Sequence, residues 1–267
     1  NIRILAISTI AGILDLSALP VCADVAFLGV AAGDASSTNA TFWTRAVDAA
    51  APTNTALTLQ ITTDPTFTSI TNPTTSCTTD STKDYTCKLD VSGLTPNTVY
   101  SYRFVGPANE MSIVGRVKTA PDASAGTSLH FAFSGDNDGL IRPYALASQI
   151  PAQNLDFYMN LGDVIYENAS NVTGSAKDPN NASNPAPWLN SPSVTLSGSS
   201  ASLNGIPVAG TTFATQAQLK GDYEKKYREN FLPVNTGGQS SLQVLYAAQG
   251  NYTTWDNHEL GNRQYIN

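Results

Sequence analysis

The chain has 267 residues, 14 Lys and Arg against 21 Asp and Glu, a net charge of −7 and a sequence pI of about 4.7. At roughly 100–200 residues per domain that length fits one or two domains, and an acidic balance without any Lys/Arg run argues against a nucleic acid partner. A hydrophobic content of 41% excludes a disordered chain, and no apolar run approaches the ~20 residues of a spanning helix, so no firm membrane partner is expected.

Only 13% of residues are charged, while Ser, Thr, Asn and Ala abound, a composition that reads as exported. The N-terminus agrees. Arg3 precedes an apolar stretch, Ile4 to Leu14, and then Pro20-Val21-Cys22-Ala23, with small residues three and one before a cut at Asp24. Residues 1–23 therefore read as a secretory signal peptide, or as a retained apolar segment that packs or anchors. The expected location is secreted, periplasmic or on the extracellular surface. In that setting Cys77 and Cys87, flanking a polar loop, would form a disulfide worth ~2–3 kcal/mol; two independent thiols are the alternative.

Residues 24–119 read as short strands separated by turns. Thr41 to Arg45, Ala56 to Thr62 and Val99 to Phe104 alternate apolar and polar positions as half-buried strands do. Ile113 to Lys118 supplies a last strand. Leu94 followed by Tyr100 resembles the tyrosine corner of a fibronectin type III or immunoglobulin-like β-sandwich. Residues 120–126 form a linker.

Residues 127–267 change character. Leu129 to Phe133 is a continuous apolar run, expected as a buried strand, that ends in Ser134-Gly135-Asp136, with His130 a structural position inside it. Residues 140–150 suggest a helix, and Leu155 to Leu161 a second buried strand ending in Gly162-Asp163. An irregular insertion rich in Ser, Asn, Gly and Pro covers 169–213. Helices are expected over Leu219 to Phe231 and Ser241 to Ala248, and a short strand, Tyr252 to Trp255, before Asp256-Asn257-His258-Glu259. Strands that deliver carboxylates at their carboxyl ends are an α/β layout, in which sites gather beyond the strand ends.

Those ends present Asp136, then Asp163 with Tyr166, then Asp256, Asn257 and His258. Carboxylates with a phenolate suit hard cations and ferric iron, and a carboxylate between two metals can bridge them for displacement at phosphorus. Gly135-Asp136, Gly162-Asp163-Val-Ile-Tyr166 and Asn257-His258-Glu259 resemble the first motifs of the purple acid phosphatases among calcineurin-like metallophosphoesterases. Gly29-Val-Ala-Ala-Gly-Asp34, Phe42-Trp-Thr-Arg45, Gly162 to Glu167 and Trp255 to Glu259 are more similar still to the alkaline phosphatase D family, its N-terminal part only.

That resemblance implies a β-sandwich followed by a C-terminally incomplete α/β metallophosphoesterase domain. It implies a secreted hydrolase of phosphate monoesters, extending to diesters, acting on a small phosphorylated substrate through metal-activated hydroxide. Asp136 would hold the first metal and Asp163 would bridge. Tyr166 would bind iron, Asn257 would hold the second metal, and His258 would contact phosphate or protonate the leaving group. Asp256 and Glu167 would support the site. The implied cofactor is a binuclear centre of Fe(III) with Ca, Zn, Mn or Fe. Because the first motif carries Gly135 where the family carries Cys, and the family's further histidines lie downstream, a non-catalytic extracellular binding or assembly module is the alternative. Asn39, Asn168, Asn171, Asn181 and Asn251 begin Asn-X-Ser/Thr triplets, which mean glycosylation only in a eukaryotic source.

Overall fold

The computed structural model describes residues 25–48, 51–70, 75–137, 144, 147, 149–166 and 241–259, with short pieces between 177 and 231. The expectations for residues 1–23, for Glu167, Asn168 and Asn171 and for residues 140–143 lie outside these. What is described is mostly β-structure. A four-stranded sheet has the order β4 (Thr75–Thr78), β3 (Ala56–Thr62), β6 (Val99–Val105), β7 (Gly115–Lys118). A six-stranded sheet has the order β5 (Thr86–Ser92), β2 (Asn39–Val47), β1 (Ala26–Gly33), β14 (Gly250–Thr253), β9 (Phe157–Asn160), β8 (Phe131–Ser134).

The first half of this order is a sandwich, and period-two patterning explains it. Ala40, Phe42, Thr44 and Ala46 of β2, Leu57, Leu59 and Ile61 of β3, and Tyr100, Tyr102 and Phe104 of β6 are all buried. Each strand thus turns one face inward, and each fully buried large side chain contributes about 1.5–3 kcal/mol. Phe42 and Tyr102 meet edge to face across the two sheets at 4.9 Å. The tyrosine corner is present: the Tyr100 hydroxyl accepts a hydrogen bond from the Thr95 amide at 2.8 Å beside buried Leu94. Cys77 of β4 and Cys87 of β5 form a disulfide. Since β4 and β5 are the edge strands of different sheets, the bridge closes one side of the sandwich.

β1 carries the fold from the sandwich to the site. It pairs antiparallel with β2 and parallel with β14, and β14, β9 and β8 follow in parallel. Val30 and Ala32 enter the sandwich core, while Ala31 packs in a second cluster with Tyr158 and with Leu242, Leu245 and Tyr246 of helix α1 (Ser241–Ala248). Parallel strands need such a crossover element, and α1 delivers the chain directly into β14. Lys118 pairs with Asp156 at 2.6 Å and Arg116 donates to the Leu155 carbonyl at 2.8 Å, fastening β7 to the start of β9.

Several expectations need correction. The apolar run at the first parallel strand is not buried: Phe131 and Phe133 are exposed, because they point to the face of β8 opposite Ala132, which packs on the α1 cluster. Phe131 instead stacks on Phe157 at 4.9 Å. His130 precedes β8, is exposed, and contributes its backbone amide to Asp156. Most of the expected helix at 140–150 lies outside the described residues, and a 3-10 helix follows over Ile150–Gln153. The last strand is Gly250–Thr253, two residues earlier than expected. Within 169–213, β10 (Lys177–Asp178) pairs with β11 (Asn181–Pro185), and β12 (Ser202–Leu203) with β13 (Ile206–Pro207). Asn251 is buried, its amide nitrogen donating to the Ala32, Tyr246 and Gln249 carbonyls, so that triplet is closed to modification in the folded chain.

Candidate functional site

The parallel register brings three strand ends to one level. Ser134 lies opposite Asn160, and Asn160 opposite Thr253. The ladder continues past the strands, with the Asp136 amide donating to the Gly162 carbonyl at 3.3 Å and the Asn137 amide to the Asp163 carbonyl at 2.8 Å. Asp136 and Asp163 both adopt left-handed backbone, φ 58° and 51°. Asp tolerates this region better than most residues, and its use at two matched strand ends turns both carboxylates towards the same edge.

There the oxygens converge. The Tyr166 hydroxyl donates to Asp136 Oδ1 at 2.9 Å and lies 3.3 Å from Asp163 Oδ2. The other Asp163 oxygen accepts from the His258 amide at 3.0 Å, and the His258 ring lies against the Tyr166 ring, centroids 4.0 Å apart and tilted 31°. Asp136, Asp163, Tyr166 and His258 are thus brought together. Asp256 and Asn257 occupy the same turn as His258 and are exposed, the Asn257 amide donating to Asp256 Oδ1 at 2.8 Å. A cavity of about 530 Å³ opens beside Asp136, lined also by Tyr144, Ile150 and Leu245.

Burial of Asp163 raises its carboxyl above the usual range; the charges of Asp256 and Glu259 add to this, and the His258 amide and ring oppose it. Burial also pushes the Tyr166 phenol far up, helped by its donated bond to Asp136 and by both carboxylate charges. The phenol proton therefore sits where negative charge is concentrated. Among the described residues no Lys or Arg pairs with Asp136, Asp163 or Asp256. A hard cation suits that charge and this donor set of carboxylates and phenol. Among the described residues no three His, Cys, Asp or Glu side chains form a metal-binding group, so the third oxygen at this point is the Tyr166 phenol.

Two residues without an assigned role in the sequence organise the site. Asn160, buried, accepts from the Gly162 amide at 2.9 Å and donates to the Tyr246 hydroxyl at 3.2 Å, tying the turn to α1. Glu259 accepts from the amides of Asp163, Val164 and Asp256. Its place inside the quoted Asn257-His258-Glu259 motif was the available signal. Asn160 has none beyond an Asn two residues before a Gly, a common turn pattern.

Residues 20–121 match the family described as PhoD-like phosphatase, N-terminal domain. Alkaline phosphatase D of Bacillus subtilis (strain 168) is 34% identical over 99 residues, 35% of this chain and 17% of that protein. A solved structure of PhoD superposes with a TM-score of 0.63 at 24% identity, covering 88% of this chain and 39% of that chain, a likeness of fold. The chain thus spans less than half of the length of either relative. Over residues 20–121 the chain is similar to the N-terminal domain of the PhoD-like phosphatases, and over 99 residues to alkaline phosphatase D.

Proposed function

We propose that this chain supplies the phosphate-facing site of an exported phosphoric ester hydrolase acting on small phosphorylated substrates, monoesters first and diesters in addition. The observation that carries this is the convergence of Asp136, Asp163 and Tyr166 oxygens under the His258 ring at the ends of parallel strands. Asp136 and Tyr166 would hold a ferric ion, Asp163 would bridge, and Asn257 would offer its carbonyl to a divalent partner of the Ca, Zn, Mn or Fe class. When bound, such a pair supplies Lewis-acid polarisation of the phosphoryl group and a nucleophile at neutral pH.

The chain's own residues do the rest. Tyr166 holds its phenol oxygen between the Asp136 and Asp163 carboxylates, the position from which it would serve as a ligand. Asp163 keeps its position through its bond from the His258 amide. His258, its ring tilted against that of Tyr166, donates a proton to the departing oxygen as the P–O bond breaks, a contribution of about 10²–10⁴ in rate. Asp256 steadies the turn through the Asn257 amide.

The test is metal analysis and a visible spectrum of the isolated protein, with turnover of p-nitrophenyl phosphate and its bis ester. Bound iron with a phenolate band is expected, and Asp163→Ala should lower turnover by about 10²-fold or more. Metal-free protein whose turnover is the same in Asp163→Ala overturns the reading. Metal-free protein without turnover favours a non-catalytic extracellular module.

A further inference from the structure

Glu259 is a buried carboxylate that the reaction does not use. Its Oε2 accepts from the Asp163 amide at 3.0 Å and the Asp256 amide at 2.8 Å, and its Oε1 from the Val164 amide at 2.5 Å. It is 9% exposed, and one side of it borders a cavity of about 490 Å³. The two loops it joins follow β9 and β14; the backbone bonds of the first run to the Asp136 turn on its far side. The connection is reciprocal: the Asp163 amide gives to Glu259, while the Asp163 carboxylate takes from the amide of His258. The loops also touch at Gly162 (φ 106°), where a Cβ would come within 2.6 Å of Asp256. One side chain thereby satisfies consecutive amides in the left-handed turn that aims Asp163 and, with the same oxygen, sets the height of the turn carrying Asn257 and His258.

We propose that Glu259 is the positioning residue of this site, fixing the separation between the Asp163 carboxylate and the Asn257–His258 turn. With its oxygens engaged by backbone donors, it acts through Asp163 and not on substrate. A carboxylate offers acceptors to all three amides. A glutamine in its place has one acceptor oxygen and turns an NH₂ group towards a donor. This inference rests on Asp163 being a ligand, and its test separates the two claims.

Glu259→Gln and Glu259→Asp are made in the full chain. Amide hydrogen exchange is followed by mass spectrometry, and binding of Mn²⁺ alone by calorimetry. Glu259→Gln should speed exchange about 10-fold or more in peptides covering 161–166 and 254–259 while leaving β2, β3 and β6 unchanged. It should weaken Mn²⁺ binding 10–100-fold, the usual effect of losing a group that orients a ligand. Glu259→Asp, which keeps both acceptor oxygens, should recover most of that loss. Native exchange at 161–166 in Glu259→Gln overturns the proposal, as does native Mn²⁺ affinity despite loosened loops. Exchange that quickens equally throughout the sandwich also overturns it, by making Glu259 a residue of the fold and not of the site. If the unmodified chain binds no Mn²⁺, the ligand role of Asp163 fails, and the exchange pattern alone decides the positioning role.

Discussion

Tyr102 lies fully buried between the sheets, and its hydroxyl has no hydrogen-bond partner among the described residues. Burial drives its phenol strongly upward, so the group stays neutral and the cost is that of an unmet polar group. Such a group costs about 1–3 kcal/mol. Removing the oxygen in Tyr102→Phe leaves a void of order 10 Å³, which at ~24 cal/mol per Å³ returns only about 0.2 kcal/mol. The ring keeps its edge contact with Phe42. Tyr102→Phe should therefore stabilise the chain by about 1–2 kcal/mol, raising Tm by about 2–8 °C in thermal unfolding followed by circular dichroism. Gly115→Ala supplies the opposite control. A Cβ there would run into the Tyr102 ring as well as its hydroxyl, so it should destabilise by about 1–3 kcal/mol in both backgrounds. A lower Tm in Tyr102→Phe would refute the account, since it would mean the hydroxyl contributes a favourable bond.

Two further outcomes follow from other parts of the molecule. Replacing Cys77 and Cys87 by Ala opens a loop of sequence separation 10, which loop-closure entropy values at about 2.7 kcal/mol; the denaturant midpoint should fall accordingly, and an unchanged midpoint would mean the edges β4 and β5 are held by other contacts. In chelator-treated protein, the raised carboxyl of Asp163 contributes stability that is present below the unfolded pKa of about 3.9 and is lost as pH rises through the higher folded value. Unfolding free energy should therefore rise more steeply with pH across that window in Asp163→Asn than in the unmodified protein, and equal slopes in the two proteins would remove Asp163 as a contributor.

Local patterning made the sandwich legible. Ala56 to Thr62 reads as a strand because its apolar residues alternate, and β3 has those bounds. Ser241 to Ala248 reads as a helix and forms α1, which packs against Ala31 of β1 and Tyr158 of β9 in one cluster. β8 shows what composition hides. Leu129 to Phe133 has the apolarity of a strand buried on both faces, yet only the Ala132 face is packed, and which faces are covered depends on the layers around the sheet. Pairing of β1 with β14 is likewise set by distant partners, which alternation cannot encode. At the site, residue chemistry marked Asp136, Asp163, Tyr166 and His258, and their convergence depends on register. Glu259 escaped a role because its partners are backbone amides, and a backbone amide leaves no trace in the identity of a residue.

β1 meets β2 a few residues after it is made, but the Asn251 amide that joins the Ala32 carbonyl lies 219 residues later. At about 5–20 residues per second of synthesis, the free edge of β1 waits about 10–45 s for its parallel neighbour. Once β7 is made, the nascent chain carries the sandwich strands with one open edge for the rest of that interval, the kind of edge that recruits a stranger's backbone. For this protein, the order in which the ribosome releases the chain makes the candidate site assemble after the sandwich, with β1 the edge left open in the meantime.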